Sequence, residues 1–137
     1  MKRDERGVMA IEVVILTPAL VAAIMVIAAG GRYVDARGQV NSAAYAAARA
    51  ASLTSNREAA VQAGTQAAEQ SMNKRGLACA TLTVTVDAAD FNPGGDVRAT
   101  VKCVADLSDV VGVGSIPGSK TFTFTAVVPL DEHRDFQ

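Results

Sequence analysis

The chain has 137 residues, a formal net charge of −1 and 50% hydrophobic residues, with no tryptophan. A charge this close to zero gives no indication of a surface that binds nucleic acids electrostatically. The length allows one modest domain with attachments, so any core is expected to be small.

The first element is an apolar run over residues 8–31, which follows a charged leader at residues 1–7. As an α-helix this run spans roughly 36 Å, enough to cross a hydrocarbon core of about 30 Å. Lys2, Arg3 and Arg6 precede the run, which predicts a cytoplasmic N-terminus and an extracytoplasmic C-terminal part. The pattern therefore indicates a single-pass protein of the cell membrane.

A cleaved secretory signal is the alternative interpretation of this segment, because Ala28, Ala29 and Gly30 suit a peptidase that prefers small residues. The apolar run is longer than the usual signal core of about 7–15 residues, which favours a retained helix. Arg32 and Arg37 lie beyond the run and weaken the charge argument for the orientation.

Glu12 is the only charged residue in the apolar run and lies five residues after Gly7. A carboxylate inside a membrane costs roughly 3 kcal/mol, so it is usually paired or functional. This arrangement at a leader–helix junction resembles the processing site of the type IV pilin superfamily. The resemblance implies that a prepilin peptidase cuts between Gly7 and Val8. The new Val8 amine, in the same or a neighbouring subunit, would then pair with Glu12. A Glu12 side chain that merely snorkels to the interface is the alternative.

A wider stretch carries a closer resemblance. Residues 6–20, RGVMAIEVVILTPAL, followed by Gly30-Gly31-Arg32 and an alanine-rich helix, resemble the TadE and TadG pseudopilins of tight-adherence (Flp) pilus systems. The end of the chain, KTFTFTAVVPLDEHRDF, is similar to their closing strand and tail. Major Flp pilins are shorter and often place Tyr after the Glu, where this chain has Val13, so the resemblance implies a minor pseudopilin. The implied partners are the membrane, the prepilin peptidase, other pilins and pseudopilins, and the pilus assembly platform.

The helix is expected to continue beyond residue 31 as a stalk. A stripe at helical spacing comprises Tyr33, Ala36, Val40, Ala44, Ala47 and Ala51, opposite Asp35, Gln39, Ser42 and Arg49. The stripe suits either the core of this chain or close contact with a partner helix. Ser55 and Glu58 then match a capping box that begins a second helix ending near Arg75.

The C-terminal part alternates apolar and polar residues, which predicts strands near 81–86, 97–103 and 121–126, with a turn at 92–95 and a flexible apolar loop at 111–119. The predicted fold class is α+β, with a long N-terminal transmembrane and stalk helix and a second helix packed on a small three-stranded antiparallel sheet. The predicted division is a leader at 1–7, a transmembrane helix at 8–31, a helical stalk and second helix at 32–75, and a β domain with its tail at 76–137.

Cys79 and Cys103 are the only cysteines, and an extracytoplasmic location favours a disulfide between them. Two free buried thiols are the alternative. A tight turn at 93–94 would put Cys103 opposite Val84, too far from Cys79 for a bond. The bond is therefore predicted to require a long loop over residues 87–96, with Cys103 opposite residues 79–80.

The sequence offers no catalytic constellation. His133 is the only histidine and lies in the tail, with no nucleophile placed to use it. Asp87, Asp90 and Asp96 cluster near a turn but match no calcium loop. We therefore expect no enzymatic activity, cofactor, metal, nucleic acid or small-molecule substrate. A single-pass, membrane-tethered extracytoplasmic binding module that is not built into a filament is the alternative function.

Overall fold

The computed structural model describes residues 6–75, 79–106, 108 and 118–133. Within the first range, side chains are described for residues 12–74 only. Within these residues it has two helices, α1 (Arg6–Ser52) and α2 (Arg57–Arg75). It also has three strands, β1 (Thr81–Asp90), β2 (Asp96–Asp106) and β3 (Ser119–Pro129). The predicted α+β class is confirmed. Residues 1–5 of the predicted leader at 1–7, and residues 111–117 of the predicted loop at 111–119, lie outside the described residues.

Helix α1 is one unbroken element of 47 residues, about 70 Å long at 1.5 Å per residue. Its N-terminal half projects from the domain, and one face is buried from Ala36 onward. The buried face contains Ala36, Val40, Ala43, Ala44, Ala47, Ala48 and Ala51, each at most 2% exposed. The predicted small-residue stripe beyond residue 35 therefore lies in the core of this chain.

Gln39 departs from the predicted polar face, because it is only 7% exposed. Its Nε2 donates to Asp35 Oδ2 over 2.8 Å, while its Oε1 has no partner among the described residues. The buried face of α1 is wider than the single predicted stripe, so Gln39 lies at its edge beside Ala43.

The N-cap of α2 is Asn56, so the predicted capping box at Ser55 and Glu58 is wrong by one residue. Asn56 Oδ1 accepts a hydrogen bond of 2.8 Å from the Ala59 amide. Glu58 consequently lies one position too early to reach back to the cap, although its charge still favours the helix N-terminus.

Replacing Asn56 with alanine is expected to lower the free energy of unfolding by about 1 kcal/mol, because the Ala59 amide loses its acceptor. Ser55→Ala is the matched control and should leave stability unchanged, since Ser55 is exposed and does not cap the helix. Pulse proteolysis in mild detergent measures both. Equal losses for the two variants would contradict the assignment of the cap.

The sheet has the order β1-β2-β3, with both neighbouring pairs antiparallel. Helix α1 lies against β2 and β3, whereas α2 lies against α1 and β1. The sequence pattern predicted that the second helix alone would cover the apolar face of the sheet. Instead both helices cover it, because α1 continues past its apolar run and packs along the sheet itself. The inner face of β2, at Val97, Ala99, Val101 and Cys103, is fully buried beneath the helices.

The Cys79–Cys103 disulfide is present, with 5.4 Å between the Cα atoms. The predicted register is wrong, because Cys103 lies opposite Leu82 rather than residues 79–80. The prediction assumed that Cys79 continues the strand. Instead the chain bends at Ala80, immediately before β1, and this bend returns Cys79 to the buried face beside Cys103.

The hairpin between β1 and β2 is also tighter than the predicted long loop. Pairing extends to Asp90 opposite Asp96, with a bulge between Asp87 and Asp90. The predicted turn is present, since the Gly95 amide donates to the Asn92 carbonyl over 2.9 Å. Gly94 has a φ of 77°, which glycine adopts without strain. The disulfide therefore does not depend on a long loop.

Strand β3 runs beside α1 in the same direction. Near its start, the Phe122 ring lies 5.4 Å from the Tyr33 ring, and Arg37 Cζ lies 5.4 Å from the Phe124 ring centroid. Near its end, Val128 lines a groove together with Tyr45 of α1. We call the end of the domain at Phe122 the proximal end, because the projecting part of α1 leaves there. The opposite end, at the 92–95 turn, is the distal end.

Candidate functional site

The feature of this chain that most needs a partner is the projecting helix, which we define as residues 12–34 of α1. Its ten large apolar side chains up to residue 27 are each 50–74% exposed: Val13, Val14, Ile15, Leu16, Leu20, Val21, Ile24, Met25, Val26 and Ile27. They point to all sides of the helix, and no described element covers them. An apolar surface this large is an interaction site with a membrane or with other proteins.

The length of the uncharged run fits a bilayer. Glu12 and Arg32 bound it, and they are about 30 Å apart along a helix, which matches the thickness of the hydrocarbon core. α1 is long and apolar enough to cross a membrane by length and composition, a test that a signal sequence also passes. The two charged residues would then lie at the two boundaries, with Tyr33 at the interfacial level that tyrosine favours. These dimensions support anchoring in a membrane.

Pro18 and Thr17 interrupt the apolar run without breaking the helix. Pro18 has no amide hydrogen, so the Val14 carbonyl loses its usual donor. Thr17 does not replace it, because its hydroxyl donates to the Val13 carbonyl over 2.6 Å. That bond satisfies the threonine hydroxyl inside the helix, which lowers the cost of placing it in lipid.

The predicted processing site lies at the start of this helix. Gly7 and Val8 fall in the first turn of α1, and the side chains of residues 6–11 lie outside the description. Glu12 is exposed. It follows Val8 by four residues, and residues at this spacing lie on the same face of a helix. An amine at Val8 would therefore be within reach of the Glu12 carboxylate in the same chain.

The other polar residues considered as a possible site, the aspartates near the 92–95 turn and His133, make local contacts at the distal end. Asp87 Oδ1 accepts from the Ala89 amide over 2.9 Å, and Asp96 Oδ2 pairs with Arg98 Nε at the same distance. No group of three or more metal-binding side chains occurs among the described residues. His133 is exposed and lies 3.7 Å from Asp131.

Sequence reasoning missed the contacts that join the projecting helix to the sheet. Tyr33 and Arg37 are four residues apart on α1, and Phe122 and Phe124 are two apart on β3, so each pair shares one face. The two faces meet in the ring and cation–π contacts described above. The sequence did contain one indication of these contacts. Aromatic residues are scarce in the chain, and two of its phenylalanines lie two residues apart on one strand, at positions 122 and 124.

A small α+β domain continuous with an exposed apolar helix supports assignment to the class of membrane-anchored proteins. Within this class, residues 7–49 match the family model for the TadE-like protein, so the chain carries a TadE-like domain there. The resemblance predicted from the sequence is confirmed for this segment, about a third of the chain, and supports a role in the tight-adherence pilus system. No curated protein and no solved structure matches the chain.

Proposed function

We propose that this chain is a minor pseudopilin that takes part in assembly or priming of a tight-adherence (Flp) pilus. A prepilin peptidase cuts it between Gly7 and Val8, and the helix that begins at Val8 anchors it in the cell membrane. The N-terminus faces the cytoplasm and the α+β domain lies outside it. Its partners are other pilins and pseudopilins and the assembly platform.

The observation that carries this proposal is the overlap of the TadE-like match with the uncovered apolar helix. The match at residues 7–49 includes the processing site, Glu12 and the whole projecting helix. A helix that is apolar on every side has area for lipid and for neighbouring helices at once. Filament subunits need such a helix, because they start in a bilayer and then exchange lipid contacts for contacts with each other.

The structure limits where lateral packing can occur. The small-residue face of α1 beyond residue 35 is already buried by its own domain. Pilin helices therefore have to pack on residues 8–34 and on the side of α1 that faces away from the sheet. That side includes Ile27, which is 74% exposed, and Gly38, where an added Cβ would meet nothing within 4 Å.

Glu12 has a defined task in this proposal. Cleavage creates a positively charged amine at Val8, four residues before Glu12 and on the same helix face. Near hydrocarbon, pairing the two charges offsets the cost that each would carry alone. The amine of a neighbouring subunit serves equally well, in which case the pair also sets the axial position of one helix against the next.

Processing is tested with a pair of variants. Gly7→Leu should accumulate as an uncleaved precursor, because the residue before the cut is no longer small. Ala28→Leu is the matched control and should be cleaved normally, since it alters only the small-residue site that a signal peptidase would use. Immunoblotting of membranes resolves precursor from mature chain. Normal cleavage of Gly7→Leu with blocked cleavage of Ala28→Leu would instead support a secretory signal.

Filament association is tested by photo-crosslinking in cells. A photoreactive residue in place of Ile27 should give adducts with pilin subunits, because this position faces away from the domain. The same residue in place of Thr123, exposed on the outer face of the sheet, is the control and should give few. Absence of pilin adducts from position 27 would favour the membrane-tethered binding module.

A further inference from the structure

We propose that the proximal end of the domain binds the phosphate groups of anionic phospholipids in the leaflet where the projecting helix ends. The site consists of five exposed cations, which we call the proximal cations: Arg32, Arg37, Lys74, Lys102 and Lys120. This inference rests on membrane anchoring by α1 and adds a second contact with the same membrane, made by the domain itself.

The fold brings these cations to one end. Arg32 lies next to Tyr33, whose ring contacts Phe122 of β3. Lys120 precedes Phe122 by two residues on the same face of the sheet. At about 3.3 Å per residue, it therefore lies roughly 7 Å closer to the apolar run. Lys120 thus reaches the level of the last apolar turn of α1, which ends just before Arg32.

The remaining cations come from other elements. Helix α2 returns antiparallel to α1, because a short turn at residues 53–56 joins them at the distal end, so Lys74 near its C-terminus lies at the proximal end. Lys102 lies opposite Thr123, one position from the Phe122 pair. Arg37 lies over the Phe124 ring. Four separate elements therefore contribute positive charge to one end of the domain.

None of these cations has a carboxylate partner among the described side chains, and Arg37 contacts the Phe124 ring. Among the described side chains, ion pairs involve only Arg98 with Asp96 and His133 with Asp131, both at the distal end. Among the described residues, two acids, Asp35 and Asp106, lie at the proximal end, and Glu69 lies more than one turn farther along α2. Within the described part of the chain, positive charge therefore exceeds negative charge at the end that faces the bilayer.

The distal end carries the opposite charge. Its described acids are Glu58, Asp87, Asp90, Asp96, Asp131 and Glu132, against Arg49, Arg57 and Arg98. The domain is thus polarised along the axis of α1, with its positive end toward the membrane surface. Lys and Arg beside a membrane are attracted to anionic lipids, and this attraction falls off within about 8–10 Å at moderate salt. Among the described cations of the domain, the proximal cations are the ones nearest the headgroups, whereas Arg49, Arg57 and Arg98 lie at the far end.

Lipid preference is measured on the full chain in nanodiscs that contain equal amounts of phosphatidylglycerol and phosphatidylcholine. Native mass spectrometry counts the lipids retained as the disc is stripped. We expect phosphatidylglycerol to be retained at least about threefold over phosphatidylcholine, since each interfacial cation favours the anionic lipid by a few-fold. Equal retention of the two lipids by the unaltered chain would overturn the proposal.

Paired variants locate the site. The double variant Arg32→Gln with Lys120→Gln should lose most of the preference. The control Arg49→Gln with Arg57→Gln removes two distal cations and should keep it. Arg37 is left intact because it packs on Phe124, and an unchanged disulfide and circular dichroism spectrum check the fold of each variant. If the double variant with Arg32 and Lys120 replaced kept the full preference for phosphatidylglycerol, the proposal would be overturned. It would also be overturned if the unaltered chain lost this preference in excess inorganic phosphate, because that result would indicate a site for soluble anions.

This test is independent of the proposed pilus role. The nanodisc experiment measures the preference between two lipids, whereas the pilus role is tested by the position of cleavage and by crosslinks to pilin. Failure of the lipid preference leaves those results standing, and failure of cleavage leaves the lipid measurement interpretable.

Discussion

Reducing the Cys79–Cys103 disulfide should lower the free energy of unfolding of the domain by about 3 kcal/mol, the value expected for a closed loop of this size. The bond joins the segment after α2 to the middle strand of the sheet. Without it, β1 is an edge strand held by β2 and by the packing of α2. Pulse proteolysis of the full chain in detergent, with and without reductant, measures the difference.

The control for reduction is a chain with both cysteines replaced by alanine. Its stability should match that of the reduced chain within about 1 kcal/mol, allowing for the small cavity left at the fully buried Cys103. It should not respond to reductant. A parent chain whose stability is the same in reductant would contradict the structural role given to the bond.

Replacing Gly64 with alanine should destabilise the domain by about 1–2 kcal/mol, although alanine favours a helix by up to about 1 kcal/mol. Gly64 is the point where α2 approaches both α1 and the sheet. A Cβ there would lie 2.8 Å from Val86 Cγ2 and 3.1 Å from the Ala47 carbonyl oxygen. The oxygen belongs to a helix backbone and Val86 is stiff about χ1, so neither neighbour yields easily.

Gly38→Ala is the matched control for that substitution. Gly38 is also a helical glycine, but an added Cβ would meet nothing within 4 Å. It should therefore stabilise the chain by up to about 1 kcal/mol through helix propensity alone. The same proteolysis assay compares the two. If both variants gained stability, the close approach of α2 at Gly64 would be incorrect.

The features that the sequence predicted correctly are those set by local pattern. The apolar run, the alternation of Thr with apolar residues in β1 and β3, and the turn around Gly94 each follow from a few consecutive residues. The projecting helix belongs to this group, since its composition alone indicates that it cannot remain in water. The disulfide was favoured by compartment and cysteine count rather than by geometry.

The features it missed depend on contacts between distant segments. The register of Cys103 is set by the bend at Ala80 and the bulge after Asp87, and neither has a strong local signal. The division of the sheet cover between α1 and α2 depends on how far the stalk runs beside β3. The cap at Asn56 was missed because Ser55 is as good a capping residue by type, and only the helix start distinguishes them.

The two halves of α1 have different surroundings. The half beyond Ala36 is packed in a core of small residues. The projecting half is left free for lipid and for neighbouring helices.

The mass of the native protein, purified from membranes without reductant, tests the central claim most directly. We predict a chain that begins at Val8, carries a free amine and contains one disulfide. A chain that begins at Met1, or one that begins near Ala29, would contradict the proposed processing and with it the assignment as a pseudopilin.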